Sequence, residues 1–129
     1  MKVVYLNVIE GDVMQMDIMD DLQVFYDMIH CRTVEMPEVR IGNRDTYFNI
    51  ICDEEALLKS GAIPSVFTES EAMLYGNIII CKANYNTGEL ESLTDDECAY
   101  IKSHVLPVKR VNRETHEART YFALVYCSY

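Results

Sequence analysis

Residues 2–9 open the chain with a run that, apart from Lys2 and Asn7, is β-branched, aliphatic or aromatic, the pattern of a β-strand. Gly11-Asp12 marks a turn, and Val13, Met14 and Met16 to Ile18 suggest a short second strand. Asp20 is a fair N-cap, with Gln23 three positions on in the capping-box arrangement. Leu22, Phe25, Tyr26 and Ile29 then recur at i, i+3, i+4 and i+7, one apolar stripe on a helix over about residues 21–30. Thr33 to Val39 is extended but holds Pro37, which predicts an edge strand or a bulge. After the Gly42-Asn43 turn, Asp45 to Cys52 alternates, with Thr46, Phe48, Ile50 and Cys52 on one face and Tyr47, Asn49 and Ile51 on the other. Asp53-Glu54-Glu55 reads as a turn or a helix start.

Ser60 to Ser70, carrying Gly61 and Pro64, reads as a loop. Ile78 to Cys81 is apolar on both faces, as expected of a strand in the middle of a covered sheet. Asn84 to Leu90 is a polar loop. Thr94-Asp95-Asp96-Glu97 is a capping box with acids in the first turn, where the helix dipole favours them. Cys98, Ile101 and Val105 form the buried side of the helix it starts, which is expected to end before Pro107. Leu106 to Tyr129 reads as two strands joined near 112–118. With no repeat or linker, the pattern predicts one α+β domain over 1–129, a mainly antiparallel or mixed sheet with about two helices packed on it.

Composition narrows the class. Half of the 129 residues are apolar, so a domain of this size buries roughly two-thirds of its unfolded surface without a disulfide or metal. No segment reaches the roughly 18 apolar residues of a membrane span. The N-terminal apolar run is short and meets Glu10 and Asp12 without a small-residue cleavage site, so a cytoplasmic location is expected. Cys31, Cys52, Cys81, Cys98 and Cys127 are odd in number, lie 17 to 29 residues apart and include no C-x-x-C. They read as structural thiols rather than a disulfide framework or zinc site.

The formal net charge is −10, which disfavours nucleic acid and anionic membranes as partners. Within 102–119, however, Lys102, Lys109, Arg110, Arg113 and Arg119 face only Glu114 and Glu117, leaving −13 on the rest of the chain. This asymmetry is able to guide another protein or a second copy of the chain.

No phosphate loop, dinucleotide fingerprint or known hydrolase motif is present. His30 and Cys31 are a nucleophile pair only in name, since adjacent helical residues point about 100° apart. His104 lies near the end of the second helix and His116 in a turn. Glu89, Glu91, Asp95, Asp96 and Glu97 lack calcium-loop spacing, and three of them serve as helix N-terminal acids. No catalytic, cofactor-binding or metal residue is therefore assigned. Of nine tyrosines, Tyr5, Tyr47, Tyr121 and Tyr126 fall on expected strands; Tyr75, Tyr85, Tyr100 and Tyr129 are candidates for exposed contact residues.

Leu22-Gln23 to Val34, then Asp53 to Leu58 with Ile63-Pro64, then Gly76 to Ile80 leading to Ser92 to Glu97, are similar in order and spacing to the domain-of-unknown-function 3846 family. The resemblance covers about residues 20–105. His30-Cys31 stands where that family often has a small residue or glycine, Ser65 where asparagine is frequent, and the last twenty or so residues have no counterpart. The resemblance implies no activity. It implies a setting on phages, plasmids and other mobile elements, sometimes beside antirestriction genes. The expected role is a non-catalytic interaction or accessory protein of a mobile element. The alternatives are a small-molecule binder or enzyme with a dispersed site, and an acidic DNA mimic. A homodimer through an open sheet edge near Val34–Val39 or Thr120–Tyr126 is a further expectation.

Overall fold

The computed structural model describes residues 1–59 and 61–129. The elements run β1 (Lys2–Asn7), β2 (Asp12–Asp17), α1 (Leu22–Ile29), β3 (Val34–Glu35), β4 (Glu38–Ile41) and β5 (Tyr47–Asp53). A one-turn 3-10 helix at Ala56–Leu58 precedes β6 (Pro64–Phe67), β7 (Ala72–Tyr75), β8 (Ile78–Ala83) and β9 (Leu90–Glu91). α2 (Asp95–Ser103) leads to β10 (Val105–Val111), β11 (Ala118–Leu124) and β12 (Cys127–Ser128). This is the expected α+β fold.

The main sheet has the order β12-β4-β5-β8-β1-β2, with β3 also on β5 and β9 also on β8. Its strands alternate between two faces, and both are covered. Val3, Tyr5, Ile51, Ile79 and Cys81 pack with Phe25 and Ile29 of α1. Val4, Leu6, Phe48, Ile50, Ile78 and Ile80 pack on the other side with Cys98 and Ile101 of α2. A second sheet, β10-β11-β6-β7, adds Val66, Leu74 and Leu124 to that core. Burial on both faces explains why β8 reads as an unbroken apolar run.

Several local details differ from the sequence expectation. The α1 N-cap is Asp21, not Asp20: Asp21 is extended and its Oδ1 accepts from Gln23 N at 2.7 Å. Gln23 instead donates to Asp27 Oδ1, one turn on. Ser60 lies outside the described residues, and the rest of the supposed loop contains β6. Pro64 suits the first residue of that strand. α2 stops at Ser103, so Val105 belongs to β10, and Pro107 lies inside a strand. β10 is an edge strand, where an absent N–H breaks no second ladder.

The 33–39 segment interrupts its pairing at Met36-Pro37, where Pro37 O accepts from Ile50 N at 3.0 Å. The register against β5 is the same before and after the proline, from Glu35↔Cys52 to Glu38↔Asn49, so no bulge forms; β12 meets β4 only at Arg40 and Ile41, which leaves Val34 to Val39 an edge paired on the β5 side alone. β6 meets β11 only at Leu124↔Val66, so Thr120 to Ala123 pair on the β10 side alone. The terminal strands of the two sheets are β12 and β2, and β10 and β7.

Candidate functional site

Two regions bring polar chemistry together. The first lies where α1 ends beside the end of β5. His30 closes the helix in a left-handed conformation, φ 62°, with its N–H donating to Tyr26 O at 2.8 Å. Asp53, the last residue of β5, is buried. Its Oδ1 accepts from Glu55 N at 2.9 Å and its Oδ2 pairs with Lys59 Nζ at 2.5 Å. Lys59 Nζ also donates to His30 O at 3.0 Å, so one ammonium ties the helix end to the strand end. Around this clamp is a cleft of about 640 Å³ lined by Tyr26, Asp27, His30, Cys31, Asp53 and Lys59.

The cleft does not arm its cysteine. Burial pushes the Cys31 thiol pKa up, and the Asp53 charge adds to this against the opposing pull of Lys59. A thiol held protonated is a poor nucleophile. The His30 hydrogen bonds described above run through its backbone, and the Asp53 carboxylate is occupied by Lys59 and Glu55. Sequence reasoning considered His30 and Cys31 but missed Asp53 and Lys59, which the fold brings to them. The available signal was an acid directly ending an apolar strand.

The other cysteines are packing residues. Cys52, Cys81, Cys98 and Cys127 are buried. Burial raises all four thiols, Cys81 and Cys127 to about 12.

Three of the five acids near α2 are engaged in structure. Asp95 pairs with Lys2 Nζ at 2.6 Å, Glu91 accepts from Asn84 Nδ2 at 2.8 Å, and Glu97 pairs with Lys82 Nζ at 2.8 Å. Among the described residues no group of three or more His, Cys, Asp or Glu is placed to hold a metal ion. No helix of the described residues is long and apolar enough to cross a membrane.

The tyrosines divide differently from expectation. Tyr85 and Tyr129 are exposed, but Tyr75 is half-buried in β7 and Tyr100 donates its hydroxyl to Ile41 O at 2.5 Å. Tyr126 is not on a strand; it turns the chain between β11 and β12 at φ 60°.

The second region is the β10–β11 hairpin. Its pairing is continuous from Val105↔Leu124 to Val111↔Ala118. The turn is closed by Asn112, whose Oδ1 accepts from Glu114 N and Thr115 N, and by His116 at φ 61°. Val105 and Leu124 join the core, while most of the hairpin is exposed, including Leu106, Val111 and Phe122.

Residues opposite in an antiparallel pair share a face. One face therefore carries Pro107, Lys109 and Val111 with Phe122, Thr120 and Ala118; the other carries Arg110 and Tyr121 with Arg119 and Val108. Phe122 lies near the β1–β2 turn, since a Cβ on Gly11 would stand 3.7 Å from its Cδ2. Phe122 and the exposed Ile9 line one cleft there. The ion pairs among the described residues are Lys2–Asp95, Lys59–Asp53 and Lys82–Glu97; Lys102, Lys109, Arg110, Arg113 and Arg119 enter none.

A family model described as a domain of unknown function (DUF3846) matches residues 1–106. The match begins earlier than the 20–105 stretch legible by motif order, and it ends within the first two residues of β10. No curated protein and no solved structure matches the chain.

Proposed function

Because the chain belongs to the DUF3846 family, whose description assigns no function, we propose from the geometry that it is a non-catalytic interaction protein. It docks an acidic protein partner on the Lys109–Val111–Phe122 face of the hairpin. The observation that carries this reading is a strand pair leaving the core with exposed apolar residues and bases that enter no ion pair, in a chain of net charge −10. An unpaired lysine beside exposed aromatic and aliphatic groups suits a desolvated contact rimmed by charge. A long polyanion such as DNA would also meet the −13 on the rest of the chain, so a compact acidic protein site is the better fit. The suppressed Cys31 thiol and the occupied Asp53 support the absence of catalysis. An accessory role on a mobile element rests on the family resemblance alone.

The test is affinity capture at low and moderate salt with wild type and with the Lys109→Glu, Phe122→Ser double variant. A stoichiometric acidic protein held by wild type and lost by the variant at the same salt is the expected result. Equal retention by both would remove the hairpin from the interaction.

A further inference from the structure

The opposite face of the hairpin supports an inference beyond protein docking. We infer that the cleft between residues 61–64 and the hairpin is an oxyanion site, in which Arg110 and Arg119 grip a phosphate or carboxylate group of a small ligand. The ladder places Arg110 directly across from Arg119 on one face. Like charges directly opposite in a sheet repel one another, and neither arginine enters an ion pair among the described residues. An anion between them converts that repulsion into two sets of charge-assisted hydrogen bonds, which the planar guanidinium forks suit.

The space fits such a group. Both arginines line a cleft of about 440 Å³ together with Ile63, Thr115, Glu117 and Tyr121. That volume lies in the range of small-molecule pockets and exceeds one phosphate group, so the anion is expected to be part of a larger molecule. Tyr121 shares the arginines' face, two residues from Arg119, and offers a ring for the remainder of the ligand. Glu117 is the acid of the wall, and it opposes an anion, so it tunes affinity downward. Both arginines lie beyond residue 106, so the gripping pair stands outside the family match while the 61–64 wall lies within it.

The test is titration of the full chain at low ionic strength with inorganic phosphate and, separately, with succinate, followed by the Arg side-chain Nε–Hε NMR signals. Saturable shifts of Arg110 and Arg119 are expected. Arg110→Gln and Arg119→Gln should each weaken binding about tenfold, the scale of one lost charge-assisted contact. Glu117→Gln should tighten it, and Lys102→Gln should leave it unchanged. Saturation by phosphate alone, by succinate alone or by both supports the site and identifies the oxyanion. Non-saturable shifts, or equal weakening by Lys102→Gln, would overturn it as general charge screening. All four substitutions are at exposed positions, and an unchanged amide spectrum checks folding. The protein-docking variant leaves both arginines intact, so either reading can fail without the other.

Discussion

Cys31 shows how a residue that looks reactive in sequence is made inert by its surroundings. Its half-buried thiol sits beside the Asp53 charge, and both raise its pKa. At neutral pH, iodoacetamide should therefore alkylate native Cys31 more slowly than a cysteine in an unstructured peptide, with the four buried cysteines protected until unfolding. Mass spectrometry of timed samples checks this; rapid alkylation of Cys31 would indicate a thiolate and reopen catalysis. The neighbouring His30 was legible as a helix end but not as a left-handed residue. A position at φ 62° favours glycine, and histidine adopts it here at the helix end. Asp53 and Lys59 were not legible as partners of this pair, because only the packing of α1 against β5 brings them to it.

At the scale of elements, local signals were read best where one short segment carried all the information. The Thr94 capping box is such a case: Thr94 Oγ1 accepts from Glu97 N at 3.1 Å, and Glu97 Oε1 accepts from Thr94 N at 2.9 Å. Thr94→Ala should lower the unfolding free energy by about 1 kcal/mol in urea titrations. Burial alone would push the Glu97 carboxyl up, but hydrogen bonds from Lys82 and Thr94 outweigh it, and the net shift is downward. A lowered folded pKa stabilises the fold above the ordinary value of 4.5 and is lost as pH falls through the folded value. Glu97→Gln should therefore flatten the stability decline between pH 4.5 and lower pH. A decline as steep as wild type would show that Glu97 has no part in it.

The β6 strand was missed for the converse reason. Gly61 and Pro64 are turn residues by local chemistry, and β6 exists because Pro64 to Phe67 pairs with β7. Tertiary pairing of this kind leaves no periodic trace in four residues. The ends of α1 and α2 shifted by one or two positions because adjacent residues, Asp20 and Asp21 or His104 and Val105, compete for the same boundary.

Across the whole molecule, the α+β fold class was legible in the sequence, since both helical stripes and the long apolar strands were visible. It did not show that two sheets share the core, or that α1 and α2 cover opposite faces of the main sheet. The charge asymmetry of 102–119 was legible as a count. Its division into an apolar-basic face and a paired-arginine face depends on the hairpin register, which composition does not contain. The family match ends where this hairpin begins, so the strands of the proposed docking face lie beyond the matched residues.

The most direct test of that assignment is hydrogen–deuterium exchange of the chain with and without its captured partner. Protection concentrated in 105–124 and the adjoining 8–11 turn is expected, with the α1–β5 cleft unchanged. Protection at the cleft around Cys31 and Asp53, with the hairpin exchanging as in the free protein, would contradict it.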